Sequence, residues 1–213
     1  RKLKNMKKLI LTLLASSLMF SIAHAENFMI GIKAGYADLE GSVTMDNDYS
    51  TQSKSVSGVG GAIFAEAKLG DLPISLGLEY VPFKAKIGID GNSADSTGIV
   101  DDVYTAYVAA HKSTDFGSLY AKAGYTTGEV DVTSDYVTTT ITSHDDELQG
   151  IVVGLGAQID LDNPIIDLVR IEVTGTQFEK MNITTTSNGG VDEDKRSGDA
   201  QLITATIGLA KKF

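Results

Sequence analysis

LITATIGLAKKF, residues Leu202–Phe213, alternates with a period of two. From Ile203 every second residue reads Ile, Ala, Ile, Leu, Lys, Phe; the positions between are Leu, Thr, Thr, Gly, Ala, Lys. Successive side chains of a β-strand point to opposite faces, so this segment has one greasy side and one small, polar side. Such a strand either lies on a soluble core with its apolar side inward, or stands in a membrane wall with that side outward. Which side faces out decides the fold.

The same alternation recurs upstream. Segment 28–39 sets Phe28, Ile30, Ile32, Ala34 and Tyr36 against Met29, Gly31, Lys33 and Gly35. Segments 59–69, 74–80 and 118–128 behave alike, with Phe64, Glu66 and Lys68, then Gly77 and Glu79, then Tyr120, Lys122 and Gly124 on their polar sides. So do 148–161 and 167–175, whose polar sides carry Gly154, Gly156 and Gln158, then Arg170, Glu172 and Thr174. Segment 101–112 is strand-like without a decided face, because Tyr104 and Tyr107 fall on opposite sides. With the terminal segment this makes eight expected strands, each near the ~9–11 residues a tilted strand needs to cross a bilayer.

The connections sort by parity. Short ones rich in turn formers lie at 70–73, 113–117 and 160–164; long ones lie at 43–57, 88–101, 131–146 and 184–199. An up-and-down barrel with short turns at one end and longer loops at the other has this order, whereas Greek-key crossings give no such sorting. The polar sides carry Lys33, Glu66, Lys68, Glu79, Lys122, Arg170 and Glu172, four basic and three acidic residues. Near-balance of charge and abundant glycine suit a narrow lumen in which charges pair. A lipocalin-like soluble barrel, with the faces exchanged, is the alternative. The loop segments 131–143 and 181–190 are rich in Thr, Val and Ile, so they are expected to continue the strands as protruding hairpins, with Asn188-Gly189-Gly190 as one tip.

The bulk composition narrows the classes. The 213 residues contain no cysteine and no tryptophan. Without cysteine there are no disulfides, thiolate metal sites or cysteine nucleophiles. The 28 acidic residues against 18 basic ones argue against a nucleic-acid partner. RKLKNMKK, an apolar run from Leu9 to Ile22 and Ala23-His24-Ala25 form a basic head, a short hydrophobic core and a small-residue end, the pattern of a secretory signal peptide cleaved after Ala25. Initiation is expected at Met6. Removing residues 1–25, with their five basic residues and no acidic one, takes the net charge from −10 to −15. Residues 26–213 then form one exported, acidic domain.

With the AHA ending, eight amphipathic strands and the terminal Ile207-Gly208-Leu209-Ala210-Lys211-Lys212-Phe213, the chain resembles the small eight-stranded outer-membrane β-barrels of Gram-negative bacteria, of the OmpA-transmembrane, OmpX and opacity-protein type. The resemblance implies an all-β, antiparallel up-and-down transmembrane barrel with short periplasmic turns and longer extracellular hairpins. It implies that Phe213 is the signal read by the barrel-assembly machinery, and that the wall meets outer-membrane lipid and lipopolysaccharide. Phe28 and Phe213 fall at the periplasmic ends of the first and last strands. Tyr36, Tyr80 and Tyr125 lie seven or eight residues higher. That spacing is roughly 20 Å of height at a tilt of about 40°, as aromatic girdles require. The absence of tryptophan departs from the family's girdles.

Chemistry is sparse. The charged residues of the polar face form either a gate or a structural plug, and the interior of eight strands is just wide enough for side chains to fill it. His111-Lys112-Ser113 has the look of a barrel deacylase motif but falls beside a short turn, and His144 lies in an outer loop at 142–147 without a nucleophile. MDNDYSTQS (45–53) begins like a calcium loop, yet Thr51 stands where glycine is needed and Ser57 where glutamate is needed. No catalytic, metal or cofactor site is expected. The sequence points to a monomeric, non-enzymatic barrel with a structural, surface-interaction or adhesion role, open to a surface ligand through its outer loops. A small gated pore and, behind it, a lipid-modifying enzyme are the alternatives.

Overall fold

A computed structural model describes residues 28–45, 51–82, 85–91, 94–134, 139–143, 147–179, 181–187 and 193–213. The signal segment with Ala25, the start of the calcium-like loop, His144 and the tip 188–190 lie outside the described residues. Among the described residues eleven strands follow one another: β1 (Phe28–Met45), β2 (Thr51–Lys68), β3 (Ile74–Val81), β4 (Ala85–Gly91), β5 (Ala94–Thr114), β6 (Gly117–Ser134), β7 (Thr139–Ser143), β8 (Glu147–Asp160), β9 (Leu168–Phe178), β10 (Met181–Ser187) and β11 (Glu193–Lys212). Eight of them, β1, β2, β3, β5, β6, β8, β9 and β11, pair with their neighbours in antiparallel order, and β11 returns to β1, which closes the barrel. β4 lies on β5, while β10 bridges β11 and β7.

Six of the eight barrel strands, β1, β2, β5, β6, β8 and β11, are longer than the ~9–11 residues that span a bilayer. β1 and β11 stay in register from Met29↔Lys212 up to Met45↔Arg196. Much of 43–57, 88–101 and 184–199, expected to be loop, is therefore strand. The Thr- and Val-rich segments 131–143 and 181–187 contribute to β6, β7 and β10 as expected, because β-branched residues favour a pleated ladder wherever a partner edge continues.

Segment 101–112 now has faces. The register of β5 against β6 shifts between Asp101 and Tyr104, and Asp102 takes a left-handed φ of 48°. From Tyr104 onward β5 keeps one register with β3 and β6, which sets Tyr107 and Ala109 inward and Tyr104 and Val108 outward. The β-bulge separates this stretch from the upper part of the strand. The short turns match their expected places. Gly70 (φ 57°) and Gly117 (φ 141°) take backbone angles there that a side chain disfavours. The third turn runs to Asp167, where the Asn163 carboxamide oxygen accepts the N–H groups of Ile165 and Ile166.

The closing strand is clamped at this end. Phe28 and Phe213 exchange backbone hydrogen bonds, and their rings lie 6.4 Å apart. The carboxylate of Asp167 accepts the backbone N–H of Lys212 at 2.6 Å and the Lys211 ammonium at 3.2 Å. Lys211 thus folds back onto the turn instead of reaching outward. The Lys212 N–H, with the two lysines adding to it, holds the Asp167 carboxyl below the ordinary aspartate range. A lowered folded value means that the contribution is present above the ordinary range and lost as pH falls through the lowered one. Asp167→Asn should therefore lower the temperature at which the heat-modifiable gel band shifts at neutral pH. That difference from wild type should shrink once pH falls below about 4 and vanish well below it.

Candidate functional site

The two faces of the strands differ as the alternation requires. Outward positions carry Ile32, Ile63, Ile151, Leu155, Ile207 and many like them, exposed, while inward positions on the same strands are buried. Buried charges inside and exposed aliphatics outside invert the order of a soluble protein, and identify the outer wall as a lipid-facing one.

Above the tyrosines this order reverses. On β1 the outward residues pass from Ile32 and Tyr36 to Asp38 and Glu40, while Leu39 points inward. β9 and β11 change in the same way, with Gln177, Glu179, Asp199 and Gln201 outward and Phe178, Ala200 and Leu202 inward. Val103, Leu148 and these inward residues form an apolar collar inside the barrel mouth. Below the tyrosines the wall is built for lipid; above them it is built for water, with apolar side chains in and polar ones out. The sequence carries this signal in the inversion at Tyr36-Ala37-Asp38-Leu39-Glu40, but the expectation of one polar inner face along the whole strand concealed it.

Between this collar and an apolar floor of Met29, Phe64, Leu168 and Ala210 lies the charged cluster. Six of the seven expected residues are brought together. Glu172 accepts Lys33 at 2.7 Å and Lys122 at 2.8 Å on one oxygen, and Arg170 at 3.1 Å on the other. Glu79 is shared by Lys33 at 2.7 Å and Lys122 at 3.3 Å, and Arg170 reaches Glu66 at 2.7 Å. Three cations meet three anions, so the buried charge is balanced. Lys68 stands apart: β2 ends there, and its side chain is exposed at the turn. It belongs to the rim, not to the network.

Four residues join that were not expected. Tyr107 donates to Glu66 at 2.9 Å, Tyr120 donates to Glu172 at 2.7 Å, and the Arg170 guanidinium lies 4.2 Å from the Tyr120 ring centre. Ser75 donates to Glu66 at 2.8 Å, and His111 Nε2 lies 2.8 Å from the Ser75 hydroxyl and 3.1 Å from Glu66. Tyr120 was legible on the Lys122 side of its strand; Tyr107 and His111 awaited the face of β5. Glycine makes the space. A Cβ at Gly77 would collide with the Tyr107 ring, and one at Gly156 with that of Tyr120.

The Ser75–His111–Glu66 group does not have the arrangement of a hydrolytic triad, in which the acid holds one ring nitrogen and the nucleophile the other. Here hydroxyl and carboxylate meet the same nitrogen, and Glu66 is also engaged by Arg170 and Tyr107. Ser113 is exposed beyond it. Thr51 and Ser57 of the calcium-like segment are strand residues of β2.

The aromatic residues sit at two levels. At the lower rim Phe213 is exposed, whereas Phe28 is buried on the outer wall against Ala65, Ala67, Leu76 and Leu78. At the upper level Tyr36 is exposed, Tyr80 donates to Asp102 at 2.8 Å, and Tyr125 donates to Gln149 at 2.7 Å. Tyr104, which sequence reasoning left unassigned, stacks on Tyr80 with ring centres 4.7 Å apart. These rings sit at the boundary where the faces exchange, a place suited to an apolar ring with a polar tip.

Replacing one member of a buried, balanced network strands its partners. Arg170→Met should cost about 3–5 kcal/mol in chemical unfolding from detergent micelles, since Glu66 and Glu172 lose their shared cation. Lys68→Met should stay within about 0.5 kcal/mol in the same measurement.

No family model and no curated sequence matches the chain. Among solved structures, the outer membrane protein OprG from Pseudomonas aeruginosa aligns with a TM-score of 0.54 at 12% identity, over 88% of this chain and 97% of that one. Ail of Yersinia pestis, solved in complex with the heparin analogue sucrose octasulfate, aligns at 0.43 and 13% identity over 86% and 99%. Neisserial surface protein A aligns at 0.40 and 12% identity over 85% and 96%. The closed order of eight antiparallel strands, together with the OprG alignment, gives the chain the fold of the small eight-stranded outer-membrane β-barrels.

Proposed function

We propose that this protein is a non-enzymatic barrel of the Gram-negative outer membrane, closed to solutes, whose role is structural and lies in contacts at the cell surface. One observation carries the reading: the lumen is filled at mid-height by six charged side chains that satisfy one another. A conducting path through it would have to break several charge-assisted bonds in a low-dielectric interior. The apolar collar above is a second barrier, because a constriction lined by Leu39, Val103, Leu148, Phe178 and Leu202 favours dewetting. What remains available to partners is the sheet that stands above the exchange of faces.

On this reading the protein is exported as a precursor cleaved after Ala25. The barrel-assembly machinery inserts it, recognising Phe213 beyond the closing strand, and it works as a monomer among lipid and lipopolysaccharide. The wall below the tyrosines meets acyl chains. Among the described residues, neither lumen nor rim offers a nucleophile held by a free base, so no reaction is assigned.

Recording from single barrels in a planar bilayer tests the reading. Closed barrels should give no steady conducting level, and Arg170→Met should give brief openings at most, because the collar stays in place. A steady, large conductance from the unaltered chain would establish the pore reading instead.

A further inference from the structure

β2 is hydrogen-bonded to β1 along Thr51–Ala67, but to β3 only over Ile63–Lys68. β3 stops at Val81, and the next residue, Pro82, has no N–H to give a ladder. When the chain resumes as β4 it pairs with β5 and, among the described residues, not with β2. Two strand edges therefore face each other across a splay, that of β2 from Thr51 to Ala62 and that of β4. Their N–H and C=O groups need partners.

Among the described residues no strand pairs with this edge of β2, and both faces beside it are uncovered. A Cβ at Gly58 or Gly60 would meet nothing within 4 Å, and Val59 is 86% exposed. Edges are commonly blunted by lysine, proline or a bulge; this one carries Lys54 toward its far end, but from Ser55 to Ala62 it holds only serine, valine, glycine and alanine. The neighbouring strand supplies a charge. Asp38 pairs with Ser57 and Glu40 with Ser55, and both acids are exposed on the outward face. An added strand would lie two strand spacings from them, about 10 Å, within reach of a long cationic side chain lying over the short serines.

We propose that the open edge of β2 between Ser55 and Ala62 is a strand-addition site for an extended, basic segment of a partner polypeptide. Main-chain hydrogen bonds give the affinity, and alternate Lys or Arg side chains reach Asp38 and Glu40. Toward the barrel mouth, Gly58 and Gly60 leave room for the inward side chains of the guest. An acyl chain cannot satisfy the edge groups, and a polyanion would meet carboxylates. This site rests on the surface-contact reading and gives it a location and a partner chemistry.

The test uses the full chain in lipid nanodiscs and a peptide of about eight alternating lysine and threonine residues, a length suited to one strand. Controls are the same peptide N-methylated on alternate amides and its glutamate–threonine counterpart. Anisotropy should show the lysine peptide binding at least about tenfold tighter than either control, and it should slow amide exchange across Ser55–Ala62 by a similar factor. Gly60→Pro should abolish binding. If that variant fails to fold, Asp38→Asn with Glu40→Gln should weaken binding while leaving the gel shift unchanged. Equal binding of the N-methylated peptide, protection elsewhere on the barrel, protection of the edge by lipid alone, or no binding of any peptide would overturn the site. A closed lumen with no peptide binding removes only this site; steady conductance removes the reading beneath it.

Discussion

Glu172 is the pivot on which the interior depends. One carboxylate on β9 engages Lys33 from β1, Lys122 from β6 and Arg170 from its own strand, and also accepts the Tyr120 hydroxyl. Burying a carboxylate is expensive unless its lone pairs find partners, and here both oxygens are shared. The requirement propagates outward. Long cations must converge from several walls, so the barrel has to be narrow. The tyrosines that finish the hydrogen bonding need glycines opposite them, at Gly77 and Gly156. Closure of β11 on β1 then fixes Lys33 relative to Glu172, so the seam and the cluster support each other.

The second organising constraint is the solvent outside. Each strand obeys one alternation along its length, but the meaning of the two faces changes at the tyrosine level. In lipid, the inner face must absorb all polarity, because hydrocarbon satisfies no hydrogen bond. In water, the same barrel returns to an apolar interior with acids and amides outward. The lumen is thus stacked in layers: an apolar floor, the paired charges, a band with Thr105, Thr126, Thr174 and Thr204, and the collar. Two kinds of closure follow from one tube of strands.

Much of this was legible. Period two in segments such as 148–161 and 202–213 yields strands and faces directly, since a one-residue slip would put charges into lipid. Loop parity yields the up-and-down order. Six of the charged residues assigned to the lumen meet there because alternation alone places them. What escaped has identifiable causes. Tyr104 and Tyr107 look alike to any pattern, and only the register with β3, which sets Tyr104 opposite Tyr80 and Tyr107 opposite Gly77, decides which points inward. Lys68 follows the alternation but sits one step past the last enclosed position. Continuation of the ladder into water is legible at 131–143 and 181–187, where Thr, Val and Ile favour strands. It is not legible at 43–57, where Ser and Asp give no such signal and the pairing of β1 with β2 and β11 carries the strands on. His111 sits beside Ser113 in sequence, yet its partners, Glu66 and Ser75, come from β2 and β3.

The central claim is that the outer wall faces lipid, the interior is closed, and the faces exchange above the tyrosines. The absence of cysteine allows single substitutions to read each position separately. Cysteines at Ile207, Gln201, Thr206 and Leu202, all on β11, sample the lipid wall, the wall above it, the lumen and the collar. In nanodiscs, a nitroxide lipid should quench a small label at Ile207 alone. A charged aqueous thiol reagent should modify Gln201 rapidly, and Thr206 and Leu202 at least about a hundredfold more slowly, as expected of dry positions opened only by rare fluctuations. Rapid aqueous modification at Thr206 or at Ile207 would contradict the account.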